Sequence, residues 1–491
     1  TGRVFVVNGV PIFLQGGNWI TTDQFLRYAD DEQRYDDEVK LHRDMGMTLI
    51  RVWGGGITER PEFYDACDRA GMLVMQEFWM TGDNNGRWAG SYEWPTDHDV
   101  YLRAASDMMM MVRGHASLLF LCGGNELDPP GENPSVDIAD GLQSAVATLA
   151  PDTYLILSSM APQNYSLPFD PEYALAANDG NYGFNFDSEF YGVRNPGLTG
   201  AEDVAIGFQP EIGAAATPSY ESLAKFLSTE TLADFPGCLE APNEIWAYHK
   251  YENYWTNSTY DHVCAYGAPD DVRTYALHAS LAQFTQYKAL FEGFSQHMYE
   301  WYTAVIMWKS QSPWPALRGA LYDYYLEQSG GYWGVRHALS SNVAHHPDPT
   351  DRRSTDRVST DRLPTDQRPT DGRGGHGGTT SSYSLHVQLD LSTLRPTIIN
   401  KGAYAYGLNG PLTVTVTAYD LASATQASEP FVWRLDGGVA ANSVTVCDDA
   451  FPWPTLPPPL GPPRGDDDAG RTLYLELELT TVEGSVEGSV E

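Results

Sequence analysis

Short apolar runs alternate with longer amphipathic segments from the start of the chain to about residue 340. The runs predict buried strands at 13–20, 48–53, 73–78, 118–122, 154–158, 205–208 and 304–308, and a weaker pattern predicts one near 178–182. Between them the apolar spacing is that of helices. Eight alternations without a Gly-rich phosphate loop after the first strand favour a (β/α)₈ TIM barrel over an open parallel sheet.

Two of the predicted helices have recognisable ends. One begins at Pro61 and stops at Gly71, which follows the preference for proline at the first helical position and glycine just past the last. The other has Thr96 as its N-cap with Asp99 three residues on, and it ends near Gly114. Both helices fit the alternation expected of a barrel.

The pattern changes after residue 344. Residues 345–382 repeat a Thr-Asp pair every five residues and contain few apolar side chains, so we expect a low-complexity, disordered linker. Residues 383–491 return to alternation with a period of two, which predicts a small immunoglobulin-like β-sandwich with a Pro-rich insertion. The predicted domains are therefore a catalytic barrel over 1–344, the linker, and a sandwich that we expect to be incomplete.

The charge balance narrows the possible partners. The formal net charge is −35, which argues against binding to nucleic acid or to an anionic membrane surface. No run of about 20 apolar residues predicts a membrane span. The chain is rich in aromatic residues, 12% of the total, and most of these are expected to be core. The oligomeric state is left open.

Five cysteines are scattered without CxxC spacing, so the sequence predicts neither a metal site nor a disulfide framework. Cys67 and Cys122 lie in apolar patterns and are expected in the core. Asn164 and Asn257 begin Asn-X-Ser/Thr triplets, which can be glycosylated only if the chain enters a secretory compartment. The compartment thus stays open between a vacuolar or lysosomal type and the cytoplasm.

Two apolar runs end in a glutamate. Residues 117–126 end in Gly-Gly-Asn-Glu, whose last residue is Glu126. Residues 205–213 contain Glu211 within the motif Pro-Glu-Ile-Gly. The carboxyl ends of barrel strands are where TIM-barrel enzymes place their chemistry. Retaining glycoside hydrolysis needs one carboxyl group as acid/base and another as nucleophile, about 5–5.5 Å apart. The sequence therefore predicts a retaining glycosidase that uses Glu126 and Glu211.

Longer motifs surround these residues. They are Gly-Gly-Asn-Trp-Ile (16–20), Arg-Val-Trp-Gly-Gly-Gly (51–56), Gln-Glu-Phe-Trp-Met-Thr-Gly-Asp (76–83), Gly-Gly-Asn-Glu (123–126), Phe-Gln-Pro-Glu-Ile-Gly (208–213) and Trp-Lys-Ser-Gln-Ser-Pro-Trp-Pro-Ala-Leu-Arg-Gly (308–319). Together they resemble glycoside hydrolase family 2, and within it the plant-type endo-β-mannosidases of mannosylglycoproteins. The resemblance covers about residues 5–340 and resumes weakly from about 384.

The resemblance implies roles for individual residues. Glu126 would be the acid/base and Glu211 the nucleophile. Asn125 would contact the sugar, Trp308 would form the floor of the −1 subsite, and Arg51 would support the nucleophile. No cofactor or metal is implied, and the substrate would be an oligosaccharide or glycopeptide with a Manβ1-4GlcNAc link.

Further candidates lie at or just past strand ends. Tyr182 falls where the related pattern places a tyrosine near the nucleophile, although an Asn stands where that pattern has Pro. The other candidate sugar contacts are Asn18, Trp19, Trp53, Trp79 and Asp83. For Trp53 and Trp79 rim packing is the alternative, and for Asp83 it is a turn cap. Glu77 is expected to play a structural role by pairing with a cation such as Arg51.

Departures from the family pattern leave alternatives open. Gln209 stands where the family has Asn. The family also places two domains before the barrel, and these are not expected here, since the chain begins at the barrel's opening hairpin. An exo-acting β-mannosidase or exo-β-glucosaminidase is one competing interpretation. A truncated carbohydrate-binding protein with little catalytic activity is another.

Overall fold

The structure is a computed structural model that describes residues 4–27, 33–86, 88–127, 132–159, 177–179, 189–192, 207–213, 217–238, 243–249, 263–317, 320–339, 385–401, 411–420, 425–452, 473–481 and 484–486. A short hairpin of β1 (Phe5–Val7) and β2 (Val10–Ile12) opens the chain. The predicted linker, residues 345–382, lies outside the described residues.

A curled sheet of eight strands follows the hairpin. Its members are β3 (Leu14–Trp19), β4 (Leu49–Val52), β5 (Leu73–Glu77), β6 (Leu118–Cys122), β7 (Tyr154–Ile156), β8 (Ala177–Asp179), β9 (Phe208–Ile212) and β10 (Ala304–Met307). The order is β7-β6-β5-β4-β3-β10-β9-β8, and every neighbouring pair is parallel. This is the sheet of a TIM-type fold, with its strands close to the positions predicted from the sequence.

The strand that carries Glu211 differs from the prediction. We expected it to end at Phe208, but β9 continues to Ile212, so Glu211 lies inside the strand instead of after it. Pro210 interrupts the run, and the register between β9 and β10 shifts there. A proline cannot donate a ladder hydrogen bond, which explains why the periodicity after Phe208 did not predict a strand.

Helices connect the strands. They are α1 (Gln33–Asp44), α2 (Pro61–Ala70), α3 (His98–Val112), α4 (Val136–Leu149), α5 (Glu189–Gly192), α6 (Tyr220–Leu223), α7 (Thr229–Ala233), α8 (Glu244–Tyr248), α9 (Val272–Gln296) and α10 (Gly330–Leu339). The predicted ends of α2 are confirmed, and Gly71 takes the left-handed conformation with φ +68° that favours glycine. For α3 the predicted cap was wrong, because the Asp97 side chain, not that of Thr96, accepts from the backbone of Val100.

Side-chain alternation along the parallel strands separates two cores. One set points inward and forms the apolar lower layers of the curled sheet: Leu14, Leu49, Met75, Phe120, Ile156, Phe208, Ala304 and Ile306. The other set, with Ile50, Val52 and Val74 as examples, packs against the helices. Two residues beyond Leu49 and Met75 the same inward faces carry Arg51 and Glu77, so the interior turns polar toward the carboxyl ends.

Two antiparallel sheets form the C-terminal part. One contains β11 (Leu385–Asp390), β12 (Arg395–Asn400) and β16 (Ser443–Val446). The other contains β13 (Leu412–Asp420), β14 (Thr425–Gln426), β15 (Phe431–Leu435), β17 (Leu473–Thr481) and β18 (Gly484–Val486). Apolar side chains from both sheets share one buried cluster. Two sheets that share a core in this way agree with the predicted sandwich at the level of layers.

Strand β11 faces two ways. Leu385, Val387 and Leu389 enter the cluster shared by the two sheets. His386 and Gln388, which alternate with them, reach α9 instead, where each contacts Glu292. The C-terminal sheets are therefore attached to the helical layer of the parallel sheet through the second face of β11.

One expectation about the cysteines, that none would pair, was wrong. Cys238 and Cys264 form a disulfide, with Cα atoms 5.9 Å apart, although the sequence predicted none. Spacing along the chain could not reveal this pair because folding of the segment between β9 and β10 brings the two together. Cys67 and Cys122 are buried as predicted. Among the described residues, no helix combines the length and apolar character needed to cross a membrane.

Candidate active site

Arg51 occupies the centre of the polar layer inside the sheet. It is fully buried, and its Nε donates to Glu77 Oε1 at 3.0 Å. The second Glu77 oxygen accepts from the backbone N of Gly54 at 2.7 Å. The predicted pairing of Glu77 with Arg51 is confirmed, and it gives the buried guanidinium a full negative counter-charge.

The remaining guanidinium donors of Arg51 reach the ends of two other strands. Nη1 lies 3.3 Å from Glu211 Oε2 on β9, and Nη2 donates to Asn125 Oδ1 at 2.5 Å, just after β6. Arg51 therefore connects the nucleophile candidate with the residue directly before the acid/base candidate. The structure brings both predicted glutamates to the same edge of the parallel sheet.

Glu211 is almost completely buried, with 4% of its surface exposed. The carbonyl of the preceding Pro210 accepts from Asn18 Nδ2 at 3.0 Å and from Arg51 Nη1 at 2.9 Å. These bonds fix the irregular part of β9. The positive charge of Arg51 favours the ionised carboxylate that a nucleophile requires.

Glu126 has a different environment. It is half-buried, its φ of +51° lies in the left-handed region, and its backbone N donates to Ser159 Oγ at 3.0 Å. Its Oε2 accepts from the indole Nε1 of Trp88 at 2.8 Å. One carboxyl group is thus held beside a buried cation, while the other lies partly open beside a tryptophan. Two different environments are what distinct roles for the two carboxyl groups require.

Trp308 and Trp53 form an aromatic pair at the same edge. Both are half-buried, and their rings meet edge to face at 5.1 Å with an interplanar angle of 71°. The Trp308 backbone N donates to the carbonyl of Ile212 at 2.8 Å, one residue beyond Glu211. The placement suits the predicted floor of a sugar subsite.

Burial lowers the pKa of the neighbouring Lys309 to about 8, and its Nζ donates to Ser312 Oγ at 3.2 Å.

Two predicted sugar contacts belong to the structural framework instead. The Asn18 side chain is fully buried and is engaged by Arg51, Pro210 and the carbonyl of Met307. Trp19 points the other way from β3, is fully buried, and donates from Nε1 to Glu59 at 2.8 Å. Neither side chain presents a surface to a ligand, because successive residues of β3 enter the polar layer and the helical layer in turn.

The remaining predicted contacts are placed as follows. Trp79 donates to Thr58 Oγ1 at 3.0 Å and packs partly buried in the helical core, which favours rim packing. Asp83 is exposed in the loop after β5, where Asn84 Oδ1, and not Asp83, accepts from the backbone of Thr81. Tyr182 lies outside the described residues.

Potential metal ligands are also present outside this edge. Within the described part of the chain, Asp65, Asp68 and His115 come close enough to share an ion. Asp68 accepts from the backbone of Ser117 at 2.7 Å, and His115 Nδ1 lies 2.8 Å from its other oxygen. These bonds join α2 to the loop before β6 and stabilise the packing of the two.

Sequence reasoning missed Trp88 and Ser159, both of which touch Glu126. Trp88 lies 38 residues before Glu126 in a loop with no periodic pattern. Ser159 follows β7 and contacts the backbone of Glu126, not its carboxylate. The motif around Glu126 contains neither residue, so no signal in that motif could have found them.

Several known proteins are similar to this chain. The mannosylglycoprotein endo-β-mannosidase of Lilium longiflorum is 36% identical over 360 residues, which cover 68% of this chain and 37% of the lily protein. An exo-β-D-glucosaminidase of Arthroderma benhamiae is 29% identical over 348 residues, with 68% and 37% covered. The chain thus spans little more than a third of these curated relatives. No family model matches it.

Solved structures agree on the fold. The exo-chitosanase of Amycolatopsis orientalis superimposes with a TM-score of 0.68 at 22% identity, over 99% of this chain and 49% of that one. The β-D-mannosidase of Dictyoglomus thermophilum gives 0.65 at 16%, over 99% and 51%. These relatives and the parallel sheet place the chain among the glycoside hydrolases. More narrowly, the chain belongs to glycoside hydrolase family 2, which confirms the resemblance of its motifs.

Proposed function

We propose that this chain hydrolyses β-mannosidic links with retention of configuration, using Glu211 as nucleophile and Glu126 as acid/base. The observation that carries the proposal is the position of Arg51. One of its terminal nitrogens contacts Glu211, and the other contacts Asn125, the residue before Glu126. A buried cation between two strand ends holds one carboxylate ionised for attack. The other carboxyl group then carries the proton.

The reaction proceeds in two displacements. A Glu211 oxygen attacks the anomeric carbon while the proton of Glu126 passes to the glycosidic oxygen, and the leaving sugar departs with that proton. The glycosyl–Glu211 ester is then attacked by a water molecule whose proton returns to Glu126. The ester bond breaks, and the mannose end is released with its original anomeric configuration.

The substrate class comes from the relatives. The lily protein is named for an endo-β-mannosidase acting on mannosylglycoproteins, which supports a Manβ1-4GlcNAc link in N-glycan cores as the substrate. The second candidate is exo-action on a terminal β-sugar, which the similarity to an exo-β-D-glucosaminidase and to the β-mannosidase B of Thermothelomyces thermophilus favours. Within this proposal the chain consists of a closed barrel over 1–344, a linker over 345–382 and an immunoglobulin-like sandwich over 383–491.

The first test compares products. A glycopeptide containing Manα1-6Manβ1-4GlcNAc is incubated with the parent chain, with Glu126→Gln and Glu211→Gln, and with the exposed control Glu221→Gln. We expect the parent and Glu221→Gln to release intact mannobiose, detected by mass. Each of the other two variants should lose roughly 100-fold or more in kcat/KM, the scale of a missing acid–base or nucleophilic group. Release from a terminal β-sugar alone would instead establish the exo enzyme.

The roles of the two glutamates are separated by azide. In Glu126→Ala the covalent intermediate still forms from an activated aryl mannoside, and azide should trap it as the β-mannosyl azide. In Glu211→Ala azide takes the place of the missing nucleophile, and the α-mannosyl azide is expected. The anomeric configuration is read by NMR. Full activity in Glu211→Ala, or an inverted product from the parent, would contradict the mechanism.

A further inference from the structure

The side chain of Trp88 lies against the acid/base candidate, Glu126. Its indole Nε1 donates to Glu126 Oε2 at 2.8 Å, and about half of its surface, 54%, is exposed. A tryptophan in contact with a carboxyl group and still half exposed offers a flat apolar face next to that group.

The loop after β5 is shaped to bring the indole to this position. The Trp88 ring lies over Gly82, where a Cβ would come within 2.7 Å of the ring atom Cδ1. The backbone N of Trp88 donates to the carbonyl of Gly82 at 2.8 Å, which closes the loop on itself. Any side chain at position 82 would push the indole away from Glu126.

The same loop is fixed to the strand end that carries Glu126. The backbone N of Gly82 donates to the carbonyl of Asn125 at 3.0 Å. Further along, the buried amides of Asn85 and Asn133 exchange hydrogen bonds, with Asn85 Nδ2 to Asn133 Oδ1 at 2.9 Å and Asn133 Nδ2 to the Asn85 carbonyl at 2.8 Å. Trp88 is therefore held in place before a ligand arrives, as an efficient binding site requires.

The side of the cleft on which Trp88 lies follows from the chemistry of Glu126. An acid that protonates the glycosidic oxygen must lie beside the sugar that leaves with that oxygen. A ring within hydrogen-bond distance of the acid is therefore next to the leaving sugar. Tyr92 and Trp94, in the same loop, are also exposed, at 44% and 38%, so aromatic surface continues along the loop.

We propose that Trp88 forms the binding site for the leaving-group sugar, and that its occupant is an N-acetylglucosaminyl saccharide. This proposal rests on the proposed function for the identity of the sugar. The indole face stacks on the sugar ring, and the indole N–H donates to Glu126 once its proton has passed to the glycosidic oxygen. Such a donor stabilises the charge that develops in the transition state.

Two variants separate the ring from its N–H. Trp88→Phe keeps an aromatic face and removes the donor, while Trp88→Ala removes both. Trp333→Ala, at a tryptophan 45% exposed on α10, is the matched control. Thermal melting of each variant verifies that it is folded. The substrates are the glycopeptide and 2,4-dinitrophenyl β-mannoside, whose leaving group is not a sugar and needs no proton.

For the glycopeptide, Trp88→Ala should lose roughly 10- to 100-fold in kcat/KM, the cost of removing a tryptophan that anchors a ligand. On the dinitrophenyl substrate the loss should stay below about threefold. Trp88→Phe should move the alkaline limb of the kcat/KM profile to higher pH, because the ionised carboxylate has lost a donor. Equal losses on both substrates, or an unmoved alkaline limb, would overturn the proposal.

Binding gives a readout that does not depend on turnover. N,N′-diacetylchitobiose is titrated by calorimetry into the parent, Glu211→Gln, Trp88→Ala and Trp333→Ala chains. We expect binding that only Trp88→Ala loses. If that pattern appears while the parent leaves the glycopeptide uncleaved, the leaving-group site stands and the proposed function fails. Absence of binding in the parent contradicts the site itself.

Discussion

At the scale of single residues, the geometry of the candidate site depends on Arg51. Its three nitrogens reach Glu77, Glu211 and Asn125 from a position with no solvent exposure. A buried charge is costly unless it is paired and its donors are satisfied, so each acceptor contributes to keeping the guanidinium in place. Lysine could not replace it, because one ammonium group cannot reach acceptors on three strands at once.

We expect Glu77→Gln to reduce the free energy of unfolding by about 3 kcal/mol, since it leaves Arg51 without its full counter-charge inside the sheet. Equilibrium urea denaturation measures the change. The matched control is Asp36→Asn in the exposed Arg69–Asp36 pair, where the expected cost is below about 1 kcal/mol. Equal effects of the two variants would mean that burial of the Arg51 pair is energetically unimportant.

The residues that sequence predicts best are those whose position within a strand determines their role. Glu126 follows β6 and Arg51 lies on the inward face of β4, so the positions of both could be predicted from the apolar runs that contain or precede them. Asn18 and Trp19 were predicted as sugar contacts, yet one supports Arg51 and the other enters the helical layer. The sequence shows that a strand ends there but not which neighbour satisfies each polar group.

At the scale of elements, α1 carries a buried acid. Glu38 is 1% exposed, and it pairs with Arg34, whose Nε lies 3.8 Å from Glu38 Oε2. Burial raises the pKa of Glu38 to about 7 from 4.5, even though the charge of Arg34 opposes the shift. The folded state therefore holds this proton more tightly than the unfolded chain. The stability that results is present below about pH 4.5 and is lost as the pH rises through 7.

Glu38→Gln removes this titration. Between pH 5 and pH 8 we expect the variant to gain about 2 to 3 kcal/mol of unfolding free energy relative to the parent. Urea denaturation at both pH values gives the difference. The exposed variant Glu300→Gln serves as the reference for charge removal in general. A difference between Glu38→Gln and the parent that does not change with pH would show that Glu38 keeps an ordinary pKa in the fold.

The boundaries of two elements, α3 and β9, were predicted wrongly from the sequence. The cap of α3 was misplaced by one residue because Thr96 and Asp97 are both good N-caps, and only the backbone conformation selects Asp97. Strand β9 was cut short because Pro210 breaks its pattern, while bonds from Asn18 and Arg51 to the Pro210 carbonyl hold the strand together. In both cases contacts distant in sequence decide the boundary.

At the scale of the whole molecule, a polar contact joins the parallel-sheet part to the C-terminal sheets. Glu292 of α9 accepts from Tyr191 OH at 2.5 Å and lies 3.1 Å from His386 Nε2 of β11. Burial by itself raises the pKa of Glu292, but Lys288, His386 and Tyr191 outweigh it and lower the pKa to about 2. This contribution to stability is complete above about pH 4.5 and is lost as the pH falls through 2.

We expect Glu292→Ala to separate the unfolding of the two parts. Removing one partner of a buried charge pair costs about 3 to 5 kcal/mol and leaves His386 and Lys288 without their acceptor. Differential scanning calorimetry at pH 7 should show one transition for the parent and two for the variant.

The exposed variant Glu221→Gln controls for loss of a surface charge and should keep the single transition. Acidifying the parent from pH 5 toward pH 2 should approach the behaviour of Glu292→Ala, because the same carboxylate becomes protonated. A single transition in Glu292→Ala under all conditions would mean that the apolar contacts of the interface are sufficient to couple the two parts.

The Cys238–Cys264 bond has a consequence for the integrity of the chain. It closes a ring between β9, which carries Glu211, and β10, which ends next to Trp308. A peptide bond cut anywhere inside that ring, which also contains the glycosylation triplet at Asn257, leaves both fragments covalently attached. A nicked molecule would therefore keep Glu211 and Trp308 on one covalent assembly, and it would run as an intact chain on a gel until it was reduced.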